Sequence, residues 1–408
     1  MKKTNCLIGQ SGGPTAVINA SYKGLIDSLK KKKSIEDIYA MKFGIQGFLN
    51  GDFINLTNKS RAELNLLNTT PSTIIGTCRY KIDHYEQNEE DYIKFFKLIE
   101  EHDIRYVFYV GGNDSMDTVY KLDSYARKKG IDVKIMGVPK TIDNDIVITD
   151  HCPGYGSSAK YIATSVMEIA RDSRVYDVKN VHIIETMGRS TGWLAASSIL
   201  ASADSLHTPD FIYVPEAVFS INDFVSDVEN KLKEKKAVIV VVSEGLRDKT
   251  GEYITASNST AHDHFKHKRL GGVAETLVPY ILNNLCKRVK SIKFDVMQRA
   301  AAHCASGVDR DEAYLVGAKA VEAALEGESG FMMALERVSD NPYRAEIIRV
   351  PAAEIANKVK LLPEEYINAE RNGINDNFIN YVSPLIQGES SLPYQNALPK
   401  FAKLETRN

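Results

Sequence analysis

Strand-length apolar runs that end in glycine or charge recur along this chain, and that pattern limits its fold more than any other feature. Asn5–Ile8, Tyr106–Val110, Val133–Val138, Val181–Glu185, Phe211–Val214, Ala237–Val242 and Ile292–Val296 are separated by longer amphipathic stretches. Several are too uniformly apolar to have a solvent-facing side, as is usual for buried parallel strands. Pro14–Lys31 and Ser157–Arg171 carry apolar residues at helical spacing after glycine-rich turns, so both are predicted helices. The alternation predicts an α/β protein. With 408 residues the chain has room for two such domains. The region from 346 to 408 is less periodic and holds Pro351, Pro363, Pro384, Pro393 and Pro399, which predicts helices and loops packed over the sheet domains.

Charge and composition exclude several classes of function. A net charge of -2 speaks against a nucleic-acid groove. The longest purely aliphatic run, Ala237–Val242, falls far short of the roughly 20 residues that span a bilayer. Lys2-Lys3 leads only into a short apolar stretch that breaks at Gly9, so no export signal is predicted. The five cysteines are widely spaced, with no CxxC pair, which fits a reduced cytoplasmic protein.

Open α/β sheets bind ligands beyond the carboxyl ends of their strands. Here those ends read Gly-Gln-Ser-Gly-Gly at 9–13, Gly-Gly-Asn-Asp-Ser at 111–115, Pro-Lys-Thr-Ile-Asp-Asn-Asp at 139–145, Met-Gly-Arg at 187–189 and Ser-Glu-Gly at 243–245. Gly9–Gly13 with Pro14 reads as a phosphate cradle opening a helix, or as a plain tight turn; it is not a Walker loop. Gly111-Gly112 permits close backbone approach and Asp114 adds a carboxylate, the alternative being a glycine turn with an Asx cap. Lys140, Thr141, Asp143 and Asp145 form the set that phosphoryl transfer needs: a proton acceptor, a second carboxylate for Mg²⁺ and a cation for phosphate charge. The alternative is a solvated charged loop. Gly154-Tyr155-Gly156-Ser157-Ser158-Ala159 matches G-x-G-x-x-A, but Asp150–Pro153 separates it from any strand, so a dinucleotide site is not expected. His262, His264 and His267 sit among Lys266, Lys268 and Arg269, which opposes a dication and points to a cationic or solvated loop.

These motifs, with Gly-Ser-Ser-Ala-Lys at 156–160, Glu-Thr-Met-Gly-Arg at 185–189, Leu-Gly-Gly at 270–272 and Met-Gln-Arg at 297–299, occur in the order seen in the phosphofructokinase family, which the chain resembles over about residues 4 to 320. The resemblance implies two Rossmann-like domains with the active site in the cleft between them. Residues 1–145 with about 298–345 would bind the phosphoryl donor, and 146–297 the sugar phosphate. Asp143 is then the base for the sugar 1-hydroxyl, with Thr141 and Lys140 beside it and Asn113 and Asp145 toward Mg²⁺. Gly13, Arg79, Gly112, Asp114 and Lys140 face the donor. Thr141, Met187, Gly188, Arg189, Glu244, Arg299 and Lys290 face fructose 6-phosphate, Lys290 by reaching a neighbouring subunit's site, so a homodimer or homotetramer is expected. Most members carry an aspartate where Asn113 stands. Asp114 and Lys140 resemble the residues of pyrophosphate-using members, since a carboxylate at 114 repels and crowds an α-phosphate while a lysine adds a cation for a compact donor. The implied reaction is reversible, Mg²⁺-dependent transfer from pyrophosphate to fructose 6-phosphate. Its rivals are an ATP-dependent enzyme of the same family and a non-catalytic regulatory subunit that binds sugar phosphate.

Overall fold

The computed structural model describes residues 3–255 and 271–403. The chain divides into two units: one holds the residues up to Gly154, Ala305–Val359 and those from Gly388 onward, the other Tyr155–Cys304 and Lys360–Gln387. In chain order the principal strands are β1 (Thr4–Gln10), β2 (Ile35–Met41), β3 (Phe53–Asn55), β4 (Ile104–Gly111), β5 (Lys134–Pro139), β6 (Asn180–Thr186), β7 (Phe211–Tyr213), β8 (Ala237–Ser243), β9 (Val289–Lys293), β10 (Phe331–Asp340) and β11 (Tyr343–Pro351).

The first unit is a seven-stranded sheet ordered β11-β10-β5-β4-β1-β2-β3. β1, β4 and β5 lie parallel at its centre, and their residues alternate between two cores. Leu7, Val107, Tyr109 and Ile135 face Met116, Val119 and Leu122 of helix α2 (Asn113–Lys129). Ile8, Phe108, Val110 and Met136 face the opposite way, toward Ile18, Tyr22 and Leu25 of helix α1 (Ile18–Lys30). Burial on both faces is the physical reason these runs have no polar alternation.

The second unit is a four-stranded parallel sheet, β7-β8-β6-β9. Val181, Ile183, Val238, Val240 and Val242 pack there against Phe224, Val228, Leu277 and Ile281. Its helices include α3 (Tyr155–Ser173) and α4 (Val273–Asn284). Helix α5 (Gly307–Leu325) returns the chain to the first unit.

The structure departs from the sequence reading at four places. α1 begins at Ile18, so Pro14 lies in the loop before it and Gly9 and Gln10 belong to β1. β9 begins at Val289 and ends at Lys293 because Phe294–Met297 turns into the short helix Met297–Ala300. Tyr343–Pro351 is an edge strand paired antiparallel with β10; its alternating charges reflect one face in water. β2 and β10 escape the sequence reading because charged residues interrupt their strand period, and β3 because its 3 residues, Phe53–Asn55, are too few to show one. His262, His264 and His267 lie outside the described residues.

Candidate active site

Parallel register sets the carboxyl ends of β1, β4 and β5 side by side in the first unit: Gln10 lies opposite Val110, and Gly111 opposite Pro139. Loop backbones then lock together, with Ser11 N–H donating to Val110 at 3.1 Å and Lys140 N–H to the Gly111 carbonyl at 2.9 Å. Residues 76–79 strap onto the first loop. Gly12 N–H donates to the Cys78 carbonyl at 3.1 Å and Thr77 Oγ1 to the Gly12 carbonyl at 2.7 Å. Gly13 and Arg79 are thereby brought to one rim, with Arg79 exposed.

Lys140 is only 3% exposed, and its Nζ donates to the carbonyls of Gly13 at 2.6 Å and Ser11 at 3.2 Å. Besides carrying charge, it braces the glycine loop, a role the sequence did not suggest. The two glycines that follow β4 differ. A Cβ on Gly111 would sit 1.8 Å from Ser115 Oγ, whereas one on Gly112 would meet only the Lys140 carbonyl, at 3.9 Å. Gly111 therefore serves packing, and Gly112 leaves open space at the rim. Asp114 stands in the first turn of α2, half exposed, with Lys81 Nζ 3.8 Å from its carboxylate.

The segment after β5 carries the expected proton acceptor. Asp143 N–H donates to Thr141 Oγ1 at 3.0 Å, and Thr141 bridges to Gly154 in parallel fashion. Asn144 sits between the two aspartates with φ of 55°, fully buried, its Oδ1 accepting the Cys152 N–H at 3.0 Å. This left-handed residue sets the directions of Asp143 and Asp145 and was missed; the sequence signal was an asparagine, the non-glycine residue best suited to that conformation. Asn113 is more committed than a simple ligand: its Nδ2 donates to the Lys358 carbonyl at 3.0 Å and its Oδ1 accepts Asp114 N–H at 2.8 Å. Among the described residues no group of three or more His, Cys, Asp or Glu gathers to hold a metal. The hard oxygens of Asp145 and Asn113 suit a cation that draws most of its shell from phosphate and water, as Mg²⁺ does.

In the second unit β6 and β8 end in register, Thr186 opposite Ser243, which places Met187-Gly188-Arg189 beside Glu244-Gly245. Ser243 Oγ donates to the Gly188 carbonyl at 2.6 Å. Gly188 has φ of 126°, and a side chain there would meet the Thr191 carbonyl at 2.6 Å. Gln298, 1% exposed, joins this loop to the helix bearing Arg299: its Oε1 accepts Met187 N–H at 3.2 Å and its Nε2 donates to the Asp295 carbonyl at 2.9 Å. Glu244 titrates at about 7 because burial and the neighbouring Glu185 outweigh Arg189 and the Gly188 N–H. Burial also lifts Glu185, which accepts the Gly272 and Ala274 N–H groups at the start of α4, each at 2.9 Å at closest.

Lys290 is not brought to this loop. It lies opposite His182, toward the amino end of β6, and pairs with Asp172 at 3.5 Å, both largely exposed. The lysine of β9 opposite Glu185 is Lys293, 3.1 Å from Glu275.

The phosphofructokinase family profile matches residues 5–324. The pyrophosphate–fructose 6-phosphate 1-phosphotransferase of Halomonas elongata is 41% identical over 407 residues, 99% of this chain and 97% of that protein. The protein of the same name from Methylococcus capsulatus is 41% identical, covering 99% and 96%. A crystal structure of a pyrophosphate-dependent phosphofructokinase from Nitrosospira multiformis superposes with a TM-score of 0.90 at 37% identity, covering 99% of this chain and 97% of that one.

Proposed function

The chain belongs to the phosphofructokinase family, and from that premise we propose that it transfers a phosphoryl group from pyrophosphate to the 1-hydroxyl of fructose 6-phosphate, giving fructose 1,6-bisphosphate and phosphate, reversibly and with Mg²⁺. One observation carries the reading. Three parallel strand ends gather a glycine loop, the rim beside Asp114 and a loop with the Asp143 carboxylate, and Lys140 N–H and Nζ tie them together. That is a compact anion site beside a base.

In this reading Asp143 accepts the 1-hydroxyl proton as the oxygen attacks phosphorus, and phosphate leaves. Thr141 holds the Asp143 backbone through its hydroxyl. Arg79 and Lys140 offset charge on the transferring and leaving groups, while Gly13 and Gly112 let backbone approach the donor. Asp145 and the Asn113 oxygen would hold Mg²⁺, which when bound neutralises phosphate charge. In the second unit Arg189 and Arg299 grip the sugar phosphate, Met187 and Gly188 shape its bed, and Glu244 accepts a sugar hydroxyl. Lys290, which sits toward the amino end of β6 and away from the Met187 loop of its own chain, serves a second copy's site; this is the basis for a homodimer or homotetramer.

Asp114 and Lys140 disfavour the ATP-dependent alternative, and the presence of Asp143, Arg189 and Arg299 disfavours a silent regulatory subunit. No helix among the described residues is long and apolar enough to cross a membrane. The five cysteines are free thiols, which fits a reduced cytoplasm, and the proposed reaction is a step of glycolysis. The decisive experiment assays fructose 6-phosphate and Mg²⁺ with pyrophosphate or ATP in parallel. Turnover with ATP alone would overturn the donor assignment, and turnover with neither would overturn the activity.

A further inference from the structure

His151 is 1% exposed and lies between two carboxylates. Its Nδ1 is 2.8 Å from Asp150 Oδ1 and its Nε2 is 2.6 Å from Glu312 Oε2 of helix α5. A neutral imidazole has one N–H, so one ring nitrogen would present a lone pair to an anion at that distance; with both carboxyls ionised, only the doubly protonated ring satisfies both. The surrounding charges balance on the same terms. Arg337 from β10 donates to Asp150 Oδ1 at 3.0 Å, and Tyr343 from β11 donates its hydroxyl to Glu312 Oε1 at 2.6 Å. Two cations then face two carboxylates. Asp340, largely exposed, meets Arg337 at 3.1 Å. Burial pushes His151 down, but Glu312 and Asp150 more than offset it and bring the ring to about 9.

This cluster is wired to the turn that carries the proposed base. The residue after His151, Cys152, donates its N–H to Asn144, the left-handed residue between Asp143 and Asp145. Thr149 and Asp150 are stitched to Leu335 of β10, Thr149 accepting the Leu335 N–H at 3.0 Å and Asp150 N–H donating back at 2.8 Å. One turn before Glu312 on α5, Asp309 accepts the Gly154 N–H at 2.7 Å. Helix α5 therefore holds the segment at two points.

We propose that His151, as an imidazolium bridging Asp150 and Glu312, is a positioning residue that fixes the Asp143–Asp145 turn against helix α5. The proposal rests on Asp143 being the base. Losing the proton leaves a buried excess negative charge, loosens Cys152 from Asn144 and lets the base drift, so kcat and not KM should fall on the alkaline side. Misplacing a reacting group by about 1 Å can cost about 10²-fold in rate.

The test combines ¹⁵N-histidine NMR titration with pH–rate profiles of the wild-type protein, His151→Gln and Glu312→Gln. In the wild type both His151 ring nitrogens should be protonated at neutral pH and titrate at about 9, in step with the alkaline limb of kcat. His151→Gln should lower kcat by about 10–10²-fold with KM for both substrates little changed. Amide exchange at Cys152 should speed up in the same variant. Glu312→Gln, which keeps the shape, should move both the ring titration and the limb toward acid, and it carries the test if His151→Gln does not fold. A neutral ring at pH 7, or a limb unmoved by Glu312→Gln, overturns the proposal. If the wild type turns over no pyrophosphate, the activity reading fails separately, and ring titration with Cys152 exchange still decides the positioning role.

Discussion

The Lys140 ammonium donates to the Gly13 carbonyl at 2.6 Å from a nearly water-free position. A long cationic side chain starting at the end of β5 thus sets the height of a loop that starts at the end of β1. Charge and loop geometry are delivered by one group, so removing it changes both.

Donor choice follows from this coupling. Lys140→Gly should lose pyrophosphate turnover steeply, because the proposed donor site would lose a cation and the Ser11–Gly13 loop loses its brace. Asp114→Gly removes a half-exposed carboxylate and should admit measurable ATP turnover while some pyrophosphate activity persists. Steady-state assays with each donor check both. An Asp114→Gly protein that stays folded and still ignores ATP would shift attention to Asn113.

Asp143→Asn keeps shape and hydrogen-bonding reach but removes the proposed base. We expect kcat to fall by about 10²–10⁴-fold with little change in the sugar-phosphate KM. A rate within about threefold of wild type would exclude Asp143 as base.

Arg299→Ala should raise KM for fructose 6-phosphate more than for pyrophosphate, by the loss of about 1.5–3 kcal/mol of charge-assisted hydrogen bonding. The reverse ordering would place Arg299 on the donor side. Gln298→Ala, which frees the Met187 loop from that helix, should shift KM in the same direction as Arg299→Ala.

Glu244 titrates at about 7, raised by burial and Glu185. If the carboxylate form accepts a sugar hydroxyl, as proposed, KM for the sugar phosphate should fall as pH rises through about 7. Because the folded value is raised, the stability tied to the protonated form is full below the ordinary carboxylate range and is lost as pH climbs through the same point. Glu244→Gln should abolish both trends. Substrate phosphate itself titrates near ~6, so the difference between the two proteins is the readout.

The two glycines after β4 separate stability from activity. Gly111→Ala should destabilise by about 1–3 kcal/mol through overpacking against Ser115. Gly112→Ala places its methyl in open space and should leave thermal unfolding nearly unchanged while raising KM for pyrophosphate. A Gly112→Ala protein with unaltered KM would mean that no donor approaches there.

What the sequence made legible was whatever its own neighbours determine. Uniform apolar runs exposed β1, β4, β6 and β8, and glycines or charges at their ends exposed Gly112, Lys140, Asp143 and Arg189. What it concealed depends on partners distant in the chain. Tyr343–Pro351 looks irregular because a single antiparallel partner makes it a strand. The locations of Lys290 and Lys293 depend on the register of β9 against β6, which no local pattern encodes. Gln298 reads as an ordinary polar residue until Met187, over a hundred positions earlier, is found at its amide. His151 resembles a loop histidine until helix α5 supplies Glu312.

Helices α1 and α5 meet where Gly24 faces the Tyr314 carbonyl and Gly317 the Ser21 carbonyl, positions where a Cβ would lie 2.0 and 2.3 Å from backbone oxygen. During synthesis α1 leaves the ribosome with this seam bare, and its partner follows only after the whole β6–β9 sheet has been made. At about 5–20 residues per second the wait is on the order of tens of seconds. Over that interval the nascent amino-terminal half exposes an apolar helix face and the unpaired outer edge of β5, which later receives β10. Recombinant yield should therefore depend on chaperone supply and growth temperature more than on the stability of the finished protein, and a fragment ending at Gly154 should aggregate.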